Sequence, residues 1–180
     1  MYGETTETFP RPTSAPQFAH DPHVRADVVE TLRRAGLRPT RQRTALAALL
    51  FGGPDRHVSA ETIYEEAMTA RVSVSLATVY NTLHQFTEAG LLRELAVSGA
   101  KSFFDTRTSP HHHFWNEADG EMTDVSVDAV DVTRLPEPPE GMEIAGVEVM
   151  IRLRPRRDRS GTATTNGRDE VVAAAETGPM

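Results

Sequence analysis

A change of period at Gly90 constrains this chain more than any other feature. Before it, a capping residue four times precedes a run of apolar side chains spaced three or four apart. Asp21-Pro22 offers a side-chain acceptor and then a proline at the first helical position, where a missing N–H costs nothing. Val24, Val28 and Leu32 follow, and Gly36 closes the segment. Thr40 can cap a second helix with Leu46, Leu49 and Leu50, stopped by Gly52-Gly53-Pro54. Ser59 can cap a third, with Ile63, Tyr64, Ala67 and Met68 on one face. Ser75 can cap a fourth, with Leu76, Val79, Leu83 and Phe86 inward. After Gly90 the pattern becomes that of strands: residues 91–97, a turn at Ser98-Gly99-Ala100, and a return over residues 101–104. Short helices followed by a two-stranded hairpin make a winged helix-turn-helix, whose second helix of the pair enters a major groove. The fold class expected is α/β in the α+β sense, a winged helix-turn-helix followed by a small α/β dimerisation domain.

Charge divides the chain in the same way. The net charge is −7, which taken globally argues against nucleic acid. Yet residues 23–104 hold ten Lys/Arg against eight Asp/Glu, while residues 105–154 hold four against eleven. A mildly basic half joined to a strongly acidic half suggests two tasks. The organisation expected is a disordered tail over 1–20, a DNA-binding domain over 21–105, a metal-binding dimerisation domain over 106–155, and a disordered tail over 156–180. There is no cysteine. That excludes disulfides, thiolate catalysis and Cys-ligated zinc, so any metal must be held by nitrogen and oxygen. With neither a long apolar run nor a basic-then-apolar leader, the chain is expected in the cytoplasm, away from membranes.

The fourth helix is the expected reader. With its apolar residues buried, the opposite face shows Ser75, Thr78, Tyr80 and Asn81, together with Ser73 and His84. Hydroxyls and an amide can bond base edges or phosphates, and the Tyr80 ring can meet a thymine methyl. Arg38, Arg41 and Arg43 cluster at the start of the second helix, where they can meet phosphates. A solvated polar face on a small helical domain is the bland alternative. Glu61, Glu65 and Glu66 on the third helix are most simply solvated, and Trp115 is most simply core.

The blocks Leu37-Arg38-Pro39-Thr40-Arg41-Gln42-Arg43, His57-Val58-Ser59-Ala60-Glu61 and Ser75-Leu76-Ala77-Thr78-Val79-Tyr80-Asn81 resemble the ferric uptake regulator superfamily in order and spacing. With a His-His-His-Phe segment and no cysteine, the chain looks most like the iron response regulator (Irr) branch of alphaproteobacteria. The resemblance implies a dimeric regulator that binds palindromic double-stranded DNA and responds to iron or haem.

His111-His112-His113-Phe114-Trp115 has the aromatic weight of a short strand. Side chains alternate there, so His111 and His113 share one face and His112 takes the other. The resemblance implies a regulatory ligand set of His57, Asp105, His111, His113 and Asp124. Such mixed N/O ligation suits Fe²⁺, Mn²⁺, Zn²⁺ or Co²⁺, and affinity alone does not choose among them. A second family site would use His112 and Asp131 with a later histidine. The chain has Val147 there instead, leaving water, Glu148 or another ligand to complete the site. The family's cysteine-held structural zinc is absent, because the matching positions are Asn116 and Asp119. The branch resemblance implies haem binding through His111, His112 and His113, since imidazole is a competent axial ligand, and with it a haem-supplying partner.

Strand signals return over residues 142–153, and residues 126–135 read as a helix ended by Pro136. These elements are too few for an independent core, so a homodimer is expected. The chain is read as a regulator and not an enzyme. The rivals are a metal-independent winged-helix regulator and a small His/carboxylate metalloenzyme with a facial triad.

Overall fold

Each of the four expected caps closes a helix in the computed structural model, which describes residues 19–97 and 102–156. Asp21 accepts from the His23 and Val24 amides and starts α1 (Pro22–Arg34). Thr40 accepts from Arg43 N–H at the head of α2 (Arg41–Phe51). Ser59 and Ser75 do the same for Thr62 and Thr78, heading α3 (Ala60–Thr69) and α4 (Leu76–Glu88). Each cap satisfies an amide that the first helical turn leaves without a partner. Two compact units result, Met1–Ser109 and Pro110–Met180.

In the first unit α2 is the hub. Every residue from Thr44 to Leu50 is buried, so the helix is covered on all sides rather than along one stripe. Leu32, Ile63, Val79, Leu83, Phe86 and Phe104 complete the core at 0 % exposure. A small antiparallel sheet has the order β1-β3-β2, with β1 (His57–Val58), β2 (Arg93–Leu95) and β3 (Phe103–Asp105). β2 and β3 are the wing; the expected turn at Ser98-Gly99-Ala100 lies outside the described residues. β1 pairs His57 with Asp105 and Val58 with Phe104.

Several expectations need correction. Leu76 and Met68 are exposed, at 36 % and 53 %. Thr82 takes the inward place on α4 instead, its hydroxyl donating to Thr78 O. Glu66 is not solvated: with Glu66 it is Arg56 that forms a two-pronged ion pair, at 2.7 Å for each prong, and Arg56 also donates to Leu49 O. The stretch expected to be a disordered tail ends sooner than read, since Ala19 is fully buried and His20 Nε2 lies 2.7 Å from Ala70 O. The rest of that tail, like residues 157–180, lies outside the described residues.

The second unit is one three-stranded sheet of order β5-β4-β6, made of β4 (His112–Asn116), β5 (Met122–Val125) and β6 (Met150–Leu153). β4 and β5 form an antiparallel hairpin, while β6 runs parallel to β4. The hairpin turn is held by polar bonds at the two positions where the resemblance would place cysteines. Asn116 Nδ2 donates to Asp119 Oδ2 at 2.7 Å, and Asp119 Oδ1 accepts from Glu121 N–H at 2.9 Å. The expected helix over 126–135 is a single 3₁₀ turn, Val127–Ala129, capped by Ser126. Val127, Val130 and Val132 are stiff β-branched residues; Val127 and Val132 are exposed and Val130 is only half-buried, so little burial repays the cost of ordering a longer helix. The expected strand over 142–153 shrinks to four residues, because β4 offers a partner only from His113 to Asn116. No helix among the described residues is long and apolar enough to cross a membrane.

Candidate metal centre and nucleic-acid interface

The hairpin of the second unit builds the candidate centre. Register places His113 opposite Asp124 and His112 opposite Val125. Alternation puts His111 beside His113, their ring centroids 4.4 Å apart. His111 Nε2 lies 3.4 Å from Asp124 Oδ1. His111, His113 and Asp124 each offer one ligand atom, and these atoms lie within 4.8 Å of one another. Two ligands bonded to one ion at roughly 2.1 Å stand roughly 3.0–3.4 Å apart at octahedral or tetrahedral angles, so the His111–Asp124 pair already has the needed spacing. Two imidazoles and a carboxylate form a donor set that fits a divalent first-row ion.

His112 faces the other way. It is buried, and its Nδ1 accepts from the Val149 amide at 3.3 Å. Asp131 is exposed, and neither residue joins a group of three or more ligand side chains among the described residues. Glu148, considered for the His112 side, stands instead with Oε1 2.9 Å from His113 Nδ1. Parity explains this: β6 pairs Met150 with His113, and Glu148 lies two residues before Met150 and so shares its face. Sequence alone cannot supply that register, so it leaves open which histidine Glu148 meets.

In the first unit, His57 Nε2 lies 3.9 Å from Asp105 Oδ1 across the β1–β3 pair. Asp105 is fully buried, and its Oδ1 accepts from the Arg107 amide at 2.8 Å.

The expected DNA-reading residues lie on two elements. Arg38 and Arg41 are exposed around the start of α2, and Asn81 is exposed on α4. Ser75 and Thr78 share a hydrogen bond of 2.8 Å between their hydroxyls, besides the Ser75 cap. Tyr80 is half-buried and donates its hydroxyl to Glu61 Oε1 at 2.7 Å. That bond to Glu61, with a little desolvation and the carboxylate's charge, holds the Tyr80 hydroxyl above its ordinary pKa. Tyr80 therefore presents its ring rather than a free hydroxyl. Glu61 is not merely solvated, as expected, but holds the Tyr80 hydroxyl. Arg43 leaves the arginine cluster for structural work, donating to Arg38 O at 2.6 Å and to Gln85 Oε1. His84 is half-exposed, 3.5 Å from Glu94.

The ferric uptake regulator family model matches residues 34–152, which span both units. The chain belongs to the ferric uptake regulator family. Family membership makes it a metal-responsive transcription regulator. It is 37 % identical over 109 residues to the peroxide operon regulator of Bacillus subtilis, covering 61 % of this chain and 74 % of that one. It is 32 % identical over 109 residues to the peroxide-responsive repressor PerR of Staphylococcus epidermidis, covering 61 % and 72 %. Its fold resembles the ferric uptake regulator of Vibrio cholerae, with TM-score 0.58, 25 % identity, and 71 % and 99 % of the two chains covered. The manganese-bound regulator of Pseudomonas aeruginosa is similar at TM-score 0.54 and 27 % identity, covering 71 % and 96 %.

Proposed function

We propose that the chain is a dimeric repressor whose hold on palindromic double-stranded DNA depends on a divalent ion bound by nitrogen and oxygen. The observation that carries this is the cluster of His111, His113 and Asp124 on one hairpin, two of the three side chains fully buried. The proposed ligand set takes these three from the second unit and His57 and Asp105 from the first. Support for the latter pair is their pairing across β1 and β3 and the family resemblance. A bound Fe²⁺, Mn²⁺ or Zn²⁺ would supply a positive charge that neutralises the carboxylates and draws rings and acids together. A ligand shifts DNA affinity only through unequal affinity for two arrangements of the protein.

Dimerisation is supported by the second unit's surface, where Val132, Leu135, Met142, Ile144, Val147 and Leu153 are exposed at 39 % or more. Six large apolar side chains gathered on one small unit are seldom left bare on a monomer. DNA reading is assigned to Arg38, Arg41, Ser75, Thr78, Tyr80 and Asn81. His112 and Asp131 are left as the remnant of a second site.

Haem is the finer signal that the iron response regulators imply. An axial ligand needs a ring on the wall of an open cavity. His111, His112 and His113 are 1 %, 4 % and 0 % exposed, which favours an ion over a macrocycle. The peroxide regulators among the relatives give a second reading, in which peroxide is the signal. One experiment separates these readings: anisotropy titration of promoter fragments with the protein metal-free, then with Mn²⁺, Fe²⁺, haem, and Fe²⁺ plus hydrogen peroxide. The ion reading expects Mn²⁺ to change DNA affinity at least tenfold. Identical isotherms in the metal-free and Mn²⁺ arms would sink it, and a change confined to the haem arm would put haem in its place.

A further inference from the structure

A second site lies in the first unit, away from the histidines. A cavity of about 490 Å³ is lined by Arg25 of α1, by Thr40, Arg41 and Gln42 at the head of α2, and by Arg71 and Ser73 between α3 and α4, among other residues. Three arginines from three separate parts of the chain line one cavity, and no Asp or Glu lines it among the described residues. None of the three has an ion-pair partner among the described residues. Elsewhere in the same unit arginines are paired off or engaged: Arg34 with Glu30, Arg56 with Glu66, Arg43 with Gln85.

Arg71 supplies an independent sign. α1, α3 and α4 end on the same pair of backbone bonds. Gly36 N–H donates to Arg33 O and Leu37 N–H to Leu32 O; Gly90 N–H donates to Thr87 O and Leu91 N–H to Phe86 O. Arg71 N–H donates to Met68 O and Val72 N–H to Ala67 O. The closing residue must adopt a left-handed backbone, and glycine does so without strain. Gly36 and Gly90 have φ of 73° and 72°, whereas Arg71 stands at 55° and is the only non-glycine with positive φ among the described residues. An L side chain held there points to a use for that side chain. The rim is also pinned: Gln42 Nε2 donates to Ser73 O at 2.9 Å, and His20 Nε2 meets Ala70 O.

We propose that this cavity binds a phosphate group, with Arg25, Arg41 and Arg71 supplying the charge and Thr40 and Ser73 lining it. Arginine matches phosphate in geometry and stays cationic at any working pH. The group has two sources, a DNA backbone phosphate or a small phosphate-bearing molecule. The first rests on the DNA-binding reading; the second does not.

The test uses the full chain and two variants. Arg71→Gly restores the residue that the backbone favours, so its melting temperature should not fall. Arg25→Gln alters one exposed position on α1. Calorimetric titration with inorganic pyrophosphate, without DNA, forms one arm. The salt dependence of binding to a random-sequence duplex forms the other, where each lost phosphate contact lowers the slope by about one. Pyrophosphate binding weakened at least tenfold in both variants assigns a small phosphate ligand. A slope reduced in both variants, with no pyrophosphate binding by the wild type, assigns the DNA backbone. Both changes together assign the cavity to phosphate from either source. Neither change overturns the proposal. A wild type that binds pyrophosphate but no duplex would sink the DNA reading and leave the cavity standing.

Discussion

Asp124→Asn tests the metal centre with the least disturbance. The amide keeps the side chain's shape and its place on β5 opposite His113. The carboxylate is one-fifth exposed and 3.4 Å from His111 Nε2, so in the metal-free protein its loss removes a partly screened contact and the melting temperature should barely move. With metal the expectation differs sharply. Ion held at a hundred times its Kd stabilises the folded state by about 2.7 kcal/mol. For a chain of 180 residues that raises Tm by about 5–11 °C, at about 2–4 °C per kcal/mol. Losing a supporting partner of a ligand costs up to about 100-fold in affinity, and losing a charged ligand itself should cost no less. At the same ion concentration the variant then sits near its own Kd and gains only about 0.4 kcal/mol, or about 1–2 °C. Differential scanning fluorimetry with chelator, Mn²⁺ and Zn²⁺ measures both proteins. A full Mn²⁺-induced rise in Asp124→Asn would refute the ligand assignment, and so would the absence of any rise in the wild type.

Glu66→Ala should destabilise the first unit by about 3 kcal/mol, because Arg56 would be left largely buried without its two-pronged partner; an unchanged urea midpoint would count against that. Arg38→Ala should lower the salt slope of duplex binding by about one, read by anisotropy at several ionic strengths. Tyr80 should ionise above the normal tyrosine range in an ultraviolet titration. A raised folded-state pKa means that the neutral hydroxyl is the stabilised form, so its contribution is complete below pH about 10 and fades as pH rises through the shifted value. Glu61→Gln should bring that titration back toward normal and weaken DNA binding, because the carboxylate holds the ring; an unchanged titration would refute that.

The first unit was legible because its signals are local. Asp21, Thr40, Ser59 and Ser75 act within one turn of chain, and each cap forms where it was expected. What failed there was the facing of single residues. Leu76 and Met68 are apolar and correctly spaced, yet lie at the edge of a face that Thr82 and the neighbouring helices already fill. Glu61 and Glu66 read as solvated because their partners, Tyr80 and Arg56, are 19 and 10 residues away. In the second unit, propensity misled more. A helix was expected over 126–135 from a stretch that nothing in that unit covers, and a long strand was expected where β4 offers only a short edge.

The chain's order of residues determined by itself the capped helices, the alternation that divides the three histidines, and the exclusion of thiolate from any metal site. Those follow from covalent geometry and from which atoms are present. Only the tertiary structure decided which carboxylate meets which ring. Asp124 reaches His111 through an antiparallel hairpin register, and Glu148 reaches His113 through a parallel strand 35 residues further on. Strand register between distant segments is set by the packing of whole faces, so no local pattern could have assigned those partners.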